Sequence, residues 1–212
     1  MIPRYVSLVL PVLHQDRHLV VLDKPAGLPV VPPRLGGENI AAQTGFLVCH
    51  RLDRDTSGVL VMARTTAGQR IISAAFADKH VRKGYLAVCV GGLATEGRST
   101  LPLGDWSRGR VTIGRGRAAE TSWTVRESRD ERLLVEARPL TGRTHQVRAH
   151  LSAAGGAILG DEAYGGPPAP RVALHAWWIE LPWPGPGDTL RVVSAPPASF
   201  AALWPGSLPG SP

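Results

Sequence analysis

Apolar and polar positions along this chain of 212 residues fall mostly into short runs closed by turn residues. HLVVLDK (18–24), GVLVMA (58–63), GYLAVCVG (84–91), ETSWTVRE (120–127), RLLVEARP (132–139), HAWWIELP (175–182) and TLRVV (189–193) are rich in β-branched and aromatic side chains. Their bounding Gly, Pro, Asp and Ser residues mark them as strands. Helical spacing predicts two helices. In TTAGQRIISAAFADKH (65–80), Ile72, Ala75 and Phe76 share a face, and Thr66 with Gln69 reads as a capping box. In THQVRAHLSAAGG (144–156), Val147, His150, Leu151 and Ala154 form one stripe, with Gly155 or Gly156 as the stop. Many strands and two helices predict an α+β fold: a mixed, mostly antiparallel β-sheet with flanking helices. No internal repeat or long linker interrupts residues 1–200, which read as a single domain. The Pro- and Gly-rich end, 201–212, reads as a flexible tail.

Composition sharpens this picture in three ways. Gly 24 and Pro 19 promise many turns and few long helices. Cys49 and Cys89 have no partner spacing for a zinc ribbon or a disulfide framework, so they read as small hydrophobes in a reducing compartment. The apolar stretch Val6–Leu13 is broken by Pro11 and lacks a small-residue cleavage site, and no run approaches the length of a membrane span. A cytoplasmic protein with no membrane partner is therefore expected, and no apolar stripe compels more than a monomer.

Charge adds a partner class. Lys+Arg number 24 against 17 Asp+Glu, a formal net charge of +7, which favours polyanions. Arg108, Arg110, Arg115 and Arg117 crowd into WSRGRVTIGRGR (106–117) with no acid among them. Two readings stay open for this stretch: a solvated hairpin tip, or an arm that lies along a phosphate backbone.

The densest polar segment is HRLDRDTSGVLVMA (50–63), a charged loop running into an apolar strand. It presents Asp53 as a candidate site carboxylate, although Asp55-Thr56-Ser57-Gly58 is also an ordinary turn sequence. TGRTHQVRAHL (141–151) places Arg143 near a helix start, where anions bind, and Arg148 within the helix. His145 and His150 are five apart, which is not the spacing of a zinc helix, so no metal is expected. Neither a nucleophile elbow nor a phosphate-binding glycine loop is present, and no cofactor is expected.

HRLDRDTSG (50–58), RKGYLAVCVG (82–91), GRTHQVRAHL (142–151), ILGDEAYGG (158–166) and RVALHAWWIELPWP (171–184) together resemble the RluA-type pseudouridine synthases. VVLDKPAGLPVVP (20–32) looks like that family's opening motif, and LPLGDWSRGR (101–110) is similar to the short members that modify large-subunit rRNA and tRNA. The resemblance implies isomerisation of a uridine in structured RNA, a stem-loop of rRNA or tRNA. Asp53 would be the catalytic carboxylate, attacking the anomeric carbon or stabilising a cationic sugar on a glycal route. It implies that Arg143 pairs with Asp53. Tyr85 would stack on the flipped base and its hydroxyl would help remove the C5 proton, and Leu174 would wall the base pocket. His50 and Arg51 would hold the loop or touch RNA, and Arg108, Arg110, Arg115 and Arg117 would grip it. Fewer than twenty residues precede the opening motif, so recognition is expected to rest on the catalytic domain itself. Two rivals remain: an RNA N-glycosidase using Asp53 with Asp55, and an inactive RNA-binding or ribosome-assembly module.

Overall fold

The computed structural model describes residues 10–33, 36–185 and 187–210. The Val6–Val9 part of the apolar N-terminal stretch and the last two tail residues lie outside them. In chain order the elements are β1 (Val12–Gln15), β2 (Leu19–Lys24), α1 (Ile40–Thr44), β3 (Leu47–Val48), β4 (Ser57–Ala63), α2 (Thr66–Ala77), β5 (Arg82–Gly91), β6 (Glu96–Ser99), β7 (Leu103–Ser107), β8 (Arg110–Ile113), β9 (Thr121–Arg129), β10 (Arg132–Pro139), α3 (Gln146–Ala153), β11 (Gly156–Ile158), a 3-10 turn (Glu162–Tyr164), β12 (Leu174–Pro182), β13 (Thr189–Val193) and α4 (Ala198–Ala201). Among the described residues, eleven strands form one sheet with the path β1-β2-β4-β12-β5-β10-β9-β6. There β3 flanks β4, β13 flanks β12 and β11 flanks β5, while β7 and β8 form a separate hairpin. Among the described residues only the β4–β12 pair is parallel. This is the expected α+β class.

Period-two alternation explains why the central strands read as unbroken apolar runs. Leu19 and Val21 of β2, with Val59, Val61 and Ala63 of β4, face α2 and pack on Ile72 and Ala75. Val20, Leu22, Leu60 and Met62 face the other way, onto Ile40 of α1, Val30 and Leu52. Both faces are covered, so both sets of positions must be apolar. A third cluster joins β5, β10 and β12 to Val147 and Leu151 of α3 and to Phe200, Leu203 and Trp204. The expected tail is therefore corrected in its first part. Leu203 and Trp204 are buried and Leu208 packs against the same cluster, because three large apolar side chains outweigh the Pro and Gly between them. The capping of α2 also shifts by one residue: Thr65 caps it, accepting from the Gly68 N–H, and Gln69 instead donates to the Val48 carbonyl.

The parallel pair fixes where the polar loop before β4 ends. Gly58 (φ +109°) lies opposite Ala176, and a Cβ there would sit 2.1 Å from the Ala176 carbonyl oxygen. Only glycine lets β4 approach β12 this closely. Beside it, Arg171 donates to Ser57 Oγ at 2.8 Å, Ser57 Oγ donates to His175 Nδ1 at 2.9 Å, and His175 Nε2 donates to the Ser194 carbonyl at 3.0 Å. On the other side of β4, His50 Nε2 accepts the Val61 N–H at 2.9 Å and its ring stacks on Phe76.

Both histidines accept a hydrogen bond through one ring nitrogen and so are neutral. Burial lowers their pKa values from 6.5, to about 3 for His50 and about 4 for His175. The unfolded chain protonates both as pH falls through about 6.5, while the folded chain does not until near 4 and 3. Stability is therefore complete above about pH 6.5 and declines toward pH 4, by up to about 1.4 kcal/mol per pH unit per histidine. Urea unfolding at about pH 7.5, 5.5 and 4.5 checks this; a flat profile would mean that the folded protein carries these rings charged.

Candidate active site

Between β3 and β4 the chain makes the loop that carries Asp53, and its residues alternate between anchors and open side chains. His50 extends the β4 ladder with a ring nitrogen in place of a carbonyl, and Leu52 is buried in the α1-side core. Arg51 is exposed, and the Asp53 side chain keeps 19% of its surface open. The far end of the loop is clamped by Lys24. Its buried Nζ donates to the carbonyls of Pro25, Leu28 and Arg54 at 2.7–2.8 Å, and the Gly27 N–H meets the same Arg54 carbonyl. An ammonium has three donors, and all three are used here.

The loop forms one wall of a cleft of about 410 Å³, within the range of a nucleoside-sized site. Lys83 and Tyr85 enter it from alternate positions of β5, Leu174 from the start of β12, and Arg143, His145 and Arg148 from the α3 side. Asp53 is the only carboxylate lining it among the described residues, against Arg51, Lys79, Lys83, Arg143 and Arg148. Asp55 does not line it; its carboxylate is held by the exposed Arg54. Burial, with the Asp53 charge second, pushes the Tyr85 hydroxyl above its ordinary value. At neutral pH it is a phenol, poor as a proton acceptor but free to offer its ring. Burial draws the Lys83 ammonium down to about 8, and it has no carboxylate within ion-pair distance among the described residues.

The partner of Asp53 differs from expectation. Arg143 Nε donates to the Ala118 carbonyl at 3.0 Å, at the rim of the cleft. Arg148 takes the position instead, with Nη1 3.7 Å from Asp53 Oδ2. Its Nε and Nη2 make a bidentate pair at 2.6 Å with the fully buried Asp161. The reason is local. Gln146 ties the loop before α3 by accepting from the Arg143 N–H and from Thr141 Oγ1 and donating to the Glu120 carbonyl and Thr121 Oγ1. With that loop held outside, the first turn of α3 delivers Arg148, rather than Arg143, to the interior. The sequence places Arg148 in this helix but carries no sign that it, rather than Arg143, meets Asp53. Its partner Asp161, in ILGDEAYGG, gave no spacing signal at all.

The arginine-rich segment is a hairpin. Arg108 and Gly109 both have positive φ (50° and 84°), the conformation of a two-residue turn that matches strand twist. Arg108, Arg110, Arg115 and Arg117 are exposed, none within ion-pair distance of a carboxylate among the described residues, and Trp106 beside them is 52% exposed. The hairpin packs on α3 and the 3-10 turn through Leu103, Val111, Ala119, Ala149 and Tyr164.

A family model described as RNA pseudouridylate synthase matches residues 18–153. The chain is 36% identical over 208 residues to the dual-specificity RNA pseudouridine synthase RluA of Escherichia coli K12, covering 90% of this chain and 94% of that one. It is 35% identical over 226 residues to the ribosomal large subunit pseudouridine synthase D of Xanthomonas campestris, covering 92% of this chain and 68% of that protein. The solved structure of human RNA pseudouridylate synthase domain containing 1 superposes with a TM-score of 0.78 at 27% identity, covering 93% and 89% of the two chains.

Replacing Asp161 by Asn strips the buried Arg148 of its bidentate partner. Such a change is expected to cost about 3–5 kcal/mol of stability. Chemical unfolding of the variant beside the wild type measures it, and a loss below about 1 kcal/mol would mean that the pair behaves like an exposed one.

Proposed function

The chain belongs to the RNA pseudouridylate synthase family, and from that premise we propose that Asp53 is the catalytic carboxylate with which it isomerises a uridine of structured RNA to pseudouridine. The observation that carries this reading is one carboxylate at the base of a cationic cleft, held by Arg148 and flanked by the Tyr85 ring and Leu174. The reaction breaks the bond from N1 to the anomeric carbon, turns the uracil, forms the bond from C5 to that carbon, releases the C5 hydrogen as a proton and places a proton on N1. The product is an isomer of the substrate, and nothing is oxidised or reduced.

Each wall has a task in that sequence. The uridine leaves its stack at a cost of a few kcal/mol, least in a loop, and the base enters between Tyr85 and Leu174. Tyr85 contributes its ring, since its hydroxyl is held protonated. Asp53 attacks the anomeric carbon or stabilises the cationic sugar, and on either route Arg148 keeps its carboxylate aimed without closing on it. His50 holds the loop, its ring packed on Phe76 and bonded to Val61, where it also lines the cleft. Arg51, Lys83 and Arg143 face the RNA backbone. Arg108, Arg110, Arg115 and Arg117 grip the flanking stem or loop, with Trp106 available to stack on a base. The relatives named for large-subunit rRNA and for dual specificity point to rRNA, tRNA or both as the substrate class. An N-glycosidase would need a second carboxylate across the base, and Asp55 is turned away from the cleft.

RNA carrying tritium at C5 of uridine tests the assignment. Wild type is expected to release tritium, Asp53→Ala to release none, and Arg148→Lys to fall by about 100-fold, the scale of a misplaced reacting group, while Arg143→Gln keeps most of the rate. Equal losses in the two arginine variants would return Arg143 to the site, and free uracil in the products would establish the glycosidase. Replacing the four hairpin arginines by Gln should reduce the slope of log affinity against log salt by roughly 0.7–0.9 for each phosphate the hairpin no longer neutralises. An unchanged slope would remove the hairpin from the interface.

A further inference from the structure

One buried hydroxyl joins the hairpin to the cleft. The Val111 N–H of β8 donates to Tyr164 Oη at 2.8 Å, and Tyr164 Oη lies 3.1 Å from His145 Nδ1. Tyr164 and Val111 are both buried, at 7% and 4% exposure. The Tyr164 ring lies 5.1 Å from the Arg148 guanidinium, edge-on to the His145 ring, and its own carbonyl accepts from Ser152 of α3. Arg148 in turn faces Asp53. His145 sits just before α3 with positive φ (55°), a conformation that costs a non-glycine residue energy and that the surroundings must hold in place. His145 is a neutral ring: burial lowers its pKa most, with Arg148 and Arg51 acting the same way and Asp53 and Asp161 opposing them. Tyr164 Oη thus accepts from the Val111 N–H and shares a second hydrogen bond with His145 Nδ1, linking the hairpin to the residue that opens α3.

We propose that Tyr164 is a positioning residue that couples the basic hairpin to the Arg148–Asp53 pair, so that contacts RNA makes on the hairpin are expressed in the rate of isomerisation and not in affinity alone. This rests on the reading of the hairpin as an RNA grip and of the cleft as the isomerase site. The physical argument is that, among the described residues, the hairpin strands pair with no strand of the main sheet. The hairpin is seated on α3 and the 3-10 turn by a small cluster, Leu103, Val111, Ala119, Ala149 and Tyr164, together with this one buried hydrogen bond and the His150 donation to the Leu101 carbonyl. A shift of the hairpin therefore moves the Tyr164 hydroxyl, and the Tyr164 ring is the aromatic face under Arg148. Tyr164 does not line the cleft, so removing its hydroxyl takes away no group that RNA touches there.

The test is single-turnover tritium release at saturating RNA, measured together with the dissociation constant. Tyr164→Phe, which keeps the ring and deletes the hydroxyl, is expected to lower the single-turnover rate by about 10-fold with affinity unchanged. Arg108→Gln with Arg110→Gln in the otherwise wild-type protein is expected to weaken binding and also to lower the rate at saturation. In the Tyr164→Phe background the same arginine pair should still weaken binding but lower the rate no further. Additive losses in rate, or a loss confined to affinity, would overturn the coupling. Should Tyr164→Phe not fold, the hairpin variant alone decides, since a wild-type rate at saturation contradicts the proposal. Absence of tritium release by the wild type would instead mean that the isomerase reading fails, and an unchanged dissociation constant for the arginine pair that the hairpin is not a grip.

Discussion

The Arg148 guanidinium lies between the buried Asp161 carboxylate and the Asp53 carboxylate of the cleft, and much of the site depends on how it divides its donors. Two of its nitrogens are committed to Asp161 at 2.6 Å, in the bidentate geometry that offsets the desolvation of both charges. The third faces Asp53 at 3.7 Å, close enough to fix where the carboxylate points and too far for a hydrogen bond. Asp53 therefore keeps its lone pairs free of Arg148. A lysine has no planar fork and could not serve both acids.

The other half of the geometry is a loop that cannot drift. Lys24 meets three carbonyls, two from its own turn and one from Arg54, so the residue that follows Asp53 is tied to β2. Burial draws this ammonium down to about 7, with Asp55 and Asp53 opposing and Arg171 reinforcing. Three converging carbonyl dipoles hold the proton, because a neutral amine would turn a lone pair toward one of them. Ahead of Asp53, His50 and Leu52 are sunk into opposite faces of β4. Behind it, Gly58 allows β4 to abut β12 and so brings Leu174 to the same cleft. A polar loop built on both faces of a buried strand has its open positions set by strand alternation, which is why Arg51 and Asp53 are the residues left facing out.

This explains which parts were legible from sequence. Strands buried on both faces, such as β2 and β4, announce themselves as apolar runs, and the density of charge beside an apolar strand made Asp53 stand out in HRLDRD. What could not be read is what depends on distance through space. Arg148 and Asp161 are separated by a turn and a strand, and either arginine of GRTHQVR satisfies the same charge argument until the Gln146 bonds decide which one turns inward. The Thr65 cap was missed because adjacent threonines are equivalent on paper. Leu203 and Trp204 were missed because Pro and Gly report local chain flexibility, whereas burial is decided by the cluster the chain returns to. The hairpin lay between these cases: its turn chemistry was visible, its seat on Tyr164 was not.

Charge placement in the cleft resolves a conflict inherent in the chemistry. The proposed reaction brings a carboxylate to a polyanionic substrate, an approach that is opposed unless the site carries a surplus of positive charge. Arg51, Lys79, Lys83, Arg143 and Arg148 surround a single carboxylate, and they do so from the walls and rim while Leu174 and the Tyr85 ring form the apolar part. Backbone phosphates thereby find cations and the uncharged base finds apolar surface. Lys83 in particular bears a desolvation cost with no acid within ion-pair distance among the described residues, a cost that binding of a phosphate would offset. On the proposed reading, replacing Asp53 by a neutral residue would end the reaction and yet strengthen the cleft's grip on RNA, because among the described residues it is the only carboxylate lining the cleft.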